Sequence, residues 1–173
     1  MDERYPIGQF EHQGEITKGD IEQWLKEVEE LPKQIKDVVQ YMSEEQLDTP
    51  YRDGGWSVRQ VVHHVADSHM NSFIRFKLAL TEENPTIKPY EEAEWAEQAD
   101  YQLPVAFSLA TIEAIHKRTV HLLQSIGFDE FEKTFIHPES GKQTLSKYLG
   151  FYNWHGRHHL AHITQLVEKM DWK

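Results

Sequence analysis

Apolar residues recur at steps of three or four along four segments of the chain, which is the spacing of helices that each bury one face. The first segment runs from about Lys18 to Met42, and Thr17 with Asp20 at its start resembles a capping box. Pro32 lies inside this segment, where it removes a backbone donor and crowds the preceding turn. We therefore expect a first helix with a kink or break near Leu31.

The second segment begins at Ser57, directly after a glycine-containing turn, and Gln60 three residues later completes a second capping box. Further helices are predicted over about Val105 to Ile126 and about Thr144 to Met170. No series of strand-like alternation is convincing, so the sequence predicts an all-α protein built as a four-helix bundle. The core face of the second helix carries Val58, Val61, Val62, Val65, Phe73, Phe76 and Leu80.

Two of the connections between these helices are long, one from Glu83 to Pro104 and one from Gly127 to Gln143. Connections beyond about 12–15 residues are usually functional or disordered. Tyr90 and Trp95 give the first connection apolar anchors, so it can cross one end of the bundle. We predict a long crossover connection between helices 2 and 3, in a single domain that covers residues 1–173.

The composition excludes several classes of protein. The chain has 173 residues, of which 39% are hydrophobic, enough to bury a substantial core. Cysteine is absent, which excludes thiolate metal ligands and a cysteine nucleophile and fits a reducing cytoplasm. A formal net charge of −11 repels phosphate backbones, so we expect no nucleic-acid partner. No run approaches the roughly 20 apolar residues that a membrane-spanning helix needs.

Histidines are the candidate chemistry, because most of the 11 in the chain lie in two short stretches. In the last helix the pairs His155/His159 and His158/His162 both have the i, i+4 spacing that places two side chains on one face. The stripe through the second pair is mostly polar, whereas the first pair lies on the apolar stripe. Two adjacent imidazoles in a core leave four ring nitrogens in need of partners, and a metal satisfies one nitrogen of each. That apolar stripe consists of Leu145, Tyr148, Tyr152, His155, His159, Ile163, Leu166 and Met170.

A third ligand should come from another helix. His64 lies at the inner edge of the core face of the second helix, although His63 and His69 are not excluded by periodicity. Three neutral imidazoles form a site that keeps an open position for water or substrate. Such a site suits zinc, nickel, iron or copper better than magnesium or calcium.

The residues around these histidines resemble a known family. The segment from Leu47 through Trp56 to His64 is similar to the helix-2 signature of the DinB-like family, and closest to its YfiT branch of metal-dependent hydrolases. The stretch from Trp154 to Ile163 is similar to the helix-4 signature of that family. Two further matches, Tyr5-Pro6-Ile7-Gly8 and Pro89-Tyr90, extend the resemblance over nearly the whole chain.

The resemblance implies a four-helix bundle with one zinc or nickel ion per chain, held by His64, His155 and His159. It also implies a homodimer and a cytoplasmic location. Some members of the family are named hydrolases, and others transfer low-molecular-weight thiols such as bacillithiol. Fold similarity cannot choose between these two activities.

Three functional hypotheses follow. The first is a hydrolase in which the metal activates water, and the second is a transferase that conjugates a low-molecular-weight thiol to electrophiles. The third is a non-catalytic metal-binding module of a stress response, in which a fourth side chain would close the site. Asp67 is a candidate to orient the ring of His64 as a hydrogen-bond acceptor. Tyr90 and Trp95 are candidates for the wall of a pocket for a small-molecule substrate.

Overall fold

Four long helices dominate the computed structural model, which describes residues 2–172. The predicted four-helix bundle is thereby confirmed, and its capping boxes at Thr17 and Ser57 are both present. The helices are α1 (Lys18–Val39), α2 (Glu44–Leu47), α3 (Val58–Thr81), α4 (Glu92–Ala96), α5 (Val105–Gln124) and α6 (Leu145–Lys169). Of these, α2 and α4 are short helices within the connections.

The predicted break at Pro32 does not occur. Helix α1 continues through this proline from Lys18 to Val39. Leu31 and Ile35, on either side of the proline in the buried face, are 2% and 1% exposed. Burial of this face on both sides of Pro32 holds the helix together despite the missing backbone donor.

A short β-hairpin corrects the purely helical prediction. Strands β1 (Thr134–His137) and β2 (Gly141–Thr144) pair antiparallel, and two 3₁₀ turns, Ala99–Gln102 and Phe128–Glu132, lie elsewhere in the connections. The strands have four residues each, too few for their alternation to stand out in the sequence. Backbone hydrogen bonds also tie the crossover to β1: Ile136 N donates to Pro85 O at 2.8 Å, and Ile87 N donates to Ile136 O at 2.9 Å.

Two apolar clusters fill the two ends of the bundle and fix the direction of each helix. One cluster contains the first halves of α1 and α6 with the second halves of α3 and α5, and the other contains the opposite halves. Helices α1 and α6 therefore run in one direction, and α3 and α5 in the other. Because α3 and α5 are parallel, the crossover between them must return along the length of the bundle. It does so beside α3, rather than across one end as predicted, which corrects that expectation.

Between the two apolar clusters lies a layer of buried histidines, contributed by α3, α5 and α6. None of the helices within residues 2–172 combines the length and apolarity that a bilayer crossing requires.

Candidate metal centre

Three histidines from two helices bring one ring nitrogen each to a common point. His155 Nε2 lies 3.2 Å from His64 Nε2 and 3.2 Å from His159 Nε2. His64 and His159 are 1% and 8% exposed, and His155 is partly exposed. The structure thus brings together the three residues that the sequence predicted as ligands.

The spacing of these nitrogens fits a tetrahedral metal ion. Zinc–imidazole bonds of about 2.0–2.1 Å at a tetrahedral angle separate neighbouring nitrogens by about 3.3–3.4 Å. The observed separations of 3.2 Å are close to that value. One suitable atom from each of the three side chains lies within 4.8 Å of the others, so the group could hold a metal ion.

Burial keeps these imidazoles neutral, which is the state that binds a metal. Loss of hydration lowers the pKa of His64 to about 4, and a smaller contribution comes from His158. Burial, followed by the neighbouring histidines, also holds the pKa of His155 and of His159 well below the ordinary value. All three rings therefore carry a free lone pair at neutral pH.

A glycine allows α6 to approach the site closely. A Cβ atom at Gly156 would lie 2.2 Å from Leu31 Cδ2 and 3.1 Å from His69 Cε1. The contact with Leu31 is shorter than real Cβ atoms show and the contact with His69 is tight, so a side chain here would require Leu31 or α6 to move. On the other side of the site, the Trp56 ring packs 4.7 Å from the His64 ring.

The two alternative ligands on α3 have other partners. His63 Nε2 donates to the carbonyl of Leu103 at 2.9 Å, and its Nδ1 lies 2.6 Å from Ser108 Oγ. Both ring nitrogens of His63 are therefore engaged. His69 lies behind His155, with its Nε2 3.1 Å from His155 Nδ1. The periodicity left these histidines open, and their contacts now favour His64.

His158 and His162 do not lie on an exposed polar face, which corrects the sequence interpretation. They are 7% and 3% exposed because the N-terminal segment and the ring of Tyr51, which stacks on His162 at 4.0 Å, cover this side of α6. His162 Nε2 lies 3.2 Å from Arg4 O, and Trp154 Nε1 donates to Gly8 O at 3.1 Å. His158, His159 and His162 also form a group close enough to bind an ion, in which His159 contacts His162 through Nδ1.

The proposed role of Asp67 as an acceptor for His64 is wrong. Asp67 accepts a hydrogen bond from the Tyr101 hydroxyl at 2.7 Å, while His64 Nδ1 is buried with no hydrogen-bond partner among residues 2–172. The carboxylate of Asp67 therefore contacts the crossover through Tyr101 and not the ring of His64. Burial raises the pKa of Asp67, and the hydrogen bond from Tyr101 opposes that shift.

A cavity of about 830 Å³ opens beside His155. His155 and Tyr90 both line it, as the pocket prediction for Tyr90 requires, together with Ser72, Arg75 and Tyr148. The Tyr148 hydroxyl lies 2.8 Å from Ser72 Oγ and accepts a hydrogen bond from Arg75 Nη1 at 3.2 Å.

Trp95 does not share that position. Its ring packs 4.5 Å from the ring of Tyr90, and it is not among the residues that line the cavity. Trp95 therefore contacts the wall of the cavity through Tyr90 and does not face the cavity itself.

Stability of the metal-free protein should fall as the pH drops below neutral. His116 of α5 is 1% exposed, and burial lowers its pKa to about 4, against about 6.5 in an unfolded chain. Between these two pKa values the unfolded state binds a proton at His116 and the folded state does not. The contribution of His116 to the free energy of unfolding is therefore complete above pH 6.5 and is lost as the pH falls towards 4. At pH 5 the expected loss from His116 alone is about 2 kcal/mol.

Urea unfolding in the presence of a chelator, at neutral pH and near pH 5, measures this loss. His121 lies on the same helix but is exposed, so His121→Gln should leave the pH dependence unchanged. Equal stability at both pH values would contradict the prediction.

Comparison with known proteins agrees with the fold and with the metal. The family model of the DinB superfamily matches residues 20–163. A protein of Oceanobacillus iheyensis, provisionally named a metal-dependent hydrolase, is 57% identical over 172 residues, 99% of this chain and 100% of that protein. A relative from Bacillus mycoides with the same provisional name is 57% identical over 171 residues, 99% of each chain.

Two solved structures share the architecture. YfiT from Bacillus subtilis, described as a probable metal-dependent hydrolase with an unusual four-helix bundle topology, superposes with a TM-score of 0.97 at 47% identity, over 100% of both chains. TT2238, a four-helix bundle protein, has a TM-score of 0.56 at 20% identity, over 81% of this chain and 94% of that one, which supports the fold alone.

Proposed function

This chain belongs to the DinB superfamily, and on that basis we propose that it is a metal-dependent hydrolase whose divalent metal is held by His64, His155 and His159. The observation that carries the proposal is the convergence of three neutral Nε2 atoms beside an open cavity. A metal ion bound there would act as a Lewis acid and activate a water molecule or a thiol near neutral pH.

The surrounding side chains suit a catalytic site better than a structural one. A structural zinc site usually closes the ion with four protein ligands. The group formed by His64, His155 and His159 includes no fourth histidine or carboxylate from residues 2–172. His155 also faces the cavity, so a substrate can reach the ligand sphere from that side. These features disfavour the non-catalytic stress-response module.

Residues of the cavity provide the means to bind and orient a small molecule. Arg75 and Tyr148 offer donors, and the ring of Tyr90 offers an apolar wall. Glu92 lines the same cavity at its exposed side, where partial loss of hydration raises its pKa above the ordinary value and Arg75 opposes that shift. A carboxylate with a raised pKa suits proton transfer, so Glu92 is a candidate for the proton acceptor that hydrolysis needs.

Thiol transfer is the second candidate function, and the all-imidazole ligand set favours it. Nitrogen ligands leave a borderline-soft ion that accepts a thiolate. In that reaction the sulfur of a low-molecular-weight thiol forms a bond to an electrophilic carbon, the leaving group departs with its electron pair, and the thiol proton is released. The absence of cysteine from the chain is no obstacle, because the thiol arrives as a co-substrate.

One set of assays separates these functions. Purified protein is analysed for metal and then assayed with activated esters and amides in water, and with electrophiles in the presence of a thiol. Hydrolysis that depends on the metal and is absent from His155→Ala supports the first function. Turnover that appears only when a thiol is added supports the second. A metal-loaded protein with neither activity supports a structural metal.

Tyr90→Ala should change turnover or substrate preference and leave the metal content intact. The tyrosine ring lines the cavity beside His155 but is not a ligand, so its loss should lower kcat/KM by about tenfold, or roughly 1.4 kcal/mol. Trp95→Ala should have a smaller effect in the same direction, because Trp95 acts through Tyr90. Steady-state kinetics and metal analysis of both variants test this. If either variant loses metal, the crossover supports the bundle and not the pocket.

Zinc or nickel as the ion, the homodimer and the cytoplasmic location remain proposals drawn from the family resemblance. The single domain over residues 1–173, predicted from the length of the chain, is also a proposal.

A further inference from the structure

Two buried histidines, His116 and His69, form a hydrogen-bonded chain that ends on His155, a residue of the candidate metal site. His116 Nδ1 lies 2.6 Å from the carbonyl oxygen of Val28, and His116 Nε2 lies 2.6 Å from His69 Nδ1. His69 Nε2 then lies 3.1 Å from His155 Nδ1. These hydrogen bonds connect α1 to α5, α5 to α3, and α3 to α6. It links a backbone carbonyl to His155.

Pro32 makes that carbonyl available. In a regular helix the oxygen of Val28 accepts the N–H of residue 32, but proline has no N–H to donate. The oxygen is therefore left without its helical partner inside the bundle. His116 supplies the missing donor from α5. This gives a reason for a proline in the middle of α1.

The carbonyl of Val28, at one end of the chain, determines which nitrogen donates and which accepts in each hydrogen bond. A carbonyl oxygen only accepts, so His116 must carry its proton on Nδ1. A neutral imidazole has one N–H, so His116 Nε2 accepts from His69 Nδ1–H. By the same argument His69 Nε2 accepts from His155 Nδ1–H. The Nε2 atom of His155 is then a bare lone pair.

Both inner histidines of this chain lie in the neutral form. His69 and His116 are 0% and 1% exposed, and burial this complete disfavours a charged imidazolium.

A second, shorter chain leads to His159. His162 Nε2 lies 3.2 Å from the carbonyl oxygen of Arg4, and His162 Nδ1 lies 3.4 Å from His159 Nδ1. Because the carbonyl accepts, His162 carries its proton on Nε2, and its Nδ1 can only accept. His159 then carries its proton on Nδ1. Its Nε2 is also a bare lone pair, 3.2 Å from that of His155.

We propose that two histidine chains, Val28–His116–His69 and Arg4–His162, fix the tautomers of His155 and His159 so that both present an Nε2 lone pair to the metal. His69, His116 and His162 are thus positioning residues. Their role rests on the proposed metal-binding function. Two lone pairs held this close repel each other unless a cation lies between them, so the chains prepare the site before the ion arrives.

The same protons argue against the group of His158, His159 and His162 as a second metal site. His159 would have to bind through Nδ1, which carries the proton donated to His162. His64 differs from the other two ligands, since its Nδ1 has no hydrogen-bond partner among residues 2–172. Packing against Trp56 and the neighbouring imidazoles holds this ring in place.

Nitrogen-15 NMR of the full chain, stripped of metal and held above neutral pH, reads these tautomers directly. Long-range proton–nitrogen correlations should show His69, His116, His155 and His159 protonated on Nδ1. They should show His162 protonated on Nε2. A proton on Nε2 of His155 or of His159 in the metal-free protein would overturn the proposal.

Variants test the consequence for metal binding. Asparagine at position 162 places an amide oxygen near the position of Nδ1, and glutamine at position 69 places one near the position of Nε2. His162→Asn and His69→Gln should therefore keep zinc affinity close to wild type. His162→Phe and His69→Phe keep an aromatic ring but lose the acceptor, and should weaken zinc affinity by about 10- to 100-fold in competition with a chelating indicator.

His63→Phe is the matched control, because His63 is also buried on α3 and bonded at both nitrogens but belongs to neither chain. It should keep zinc affinity. Equal losses in the control, the Phe variants and the amide variants would show a general effect of packing and would overturn the positioning role. If wild-type protein binds neither zinc nor nickel, the proposed function fails, and the NMR tautomers alone decide whether the two chains exist.

Discussion

Replacing His155 or His159 by alanine should remove the metal from the protein. Each residue supplies one of three convergent Nε2 atoms, and two imidazoles alone cannot hold a divalent ion against water and buffer. Mutation of residues that only hydrogen-bond to a metal ligand lowers metal affinity by about 10- to 100-fold. Loss of a ligand itself should therefore lower metal affinity by more than about 100-fold. Metal analysis after gel filtration, followed by zinc titration, gives both the content and the affinity.

His158→Ala is the control for these variants. His158 is buried beside both ligands on the same helix, and its ring stacks on Trp154 at 4.6 Å. Its removal should leave a small cavity and some loss of stability, but the metal content should stay near that of the wild type. Loss of metal through His158→Ala, with retention through His155→Ala, would show that the other histidine group binds the ion.

The candidate ligands on α6 could be predicted from the sequence because their positions coincide with an apolar stripe. His155 and His159 fall where the spacing of α6 requires core residues, and charged or polar groups at such positions need a specific partner. The start of α3 was equally clear, since Ser57 and Gln60 form the predicted capping box. Local chemistry of this kind is readable because it depends only on residues three or four apart.

Contacts between segments that are distant in the chain could not be predicted from the sequence pattern. His158 and His162 belong to a stripe that is mostly polar in sequence, and the packing of distant residues such as Tyr5 and Tyr51 onto α6 buries them. Likewise the hairpin forms in a connection where neither strand is long enough to show its alternation. Tertiary contacts of this kind bury residues that the hydrophobic pattern of the helix alone would place at its surface.

Signals for the histidine chains were present but incomplete. His69 and His116 follow Val65 and Ile112 by four residues, so both continue a core stripe. Periodicity alone could mark them as buried. It could not show that Pro32 frees a carbonyl opposite His116, because that depends on how α1 and α5 pack. The sequence predicts the candidate ligands, and the packing of the helices shows which groups accept or donate their hydrogen bonds.

Removal of the metal should lower the melting temperature of the wild-type protein by roughly 10 °C. An ion that binds only the folded state stabilises it by about 4 kcal/mol when its concentration is 1,000 times the dissociation constant. For a chain of this size each kcal/mol shifts the melting temperature by about 2–4 °C. The metal would join α3 to α6 through His64 and the two ligands of α6, so its loss should weaken the centre of the bundle. Calorimetry before and after dialysis against a chelator measures the shift.

The expected shift depends on the three histidines and not on the chelator. His155→Ala, which should bind little metal, should melt at the same temperature with and without chelator. Added zinc should restore the melting temperature of the stripped wild-type protein but not that of the variant. If verified removal of the metal leaves the wild-type melting curve unchanged, the ion does not bridge α3 and α6. The ion would then have to be bound by other ligands at the surface, and not by His64, His155 and His159. An ion bound between two packed helices cannot be removed without lowering the stability of the folded state.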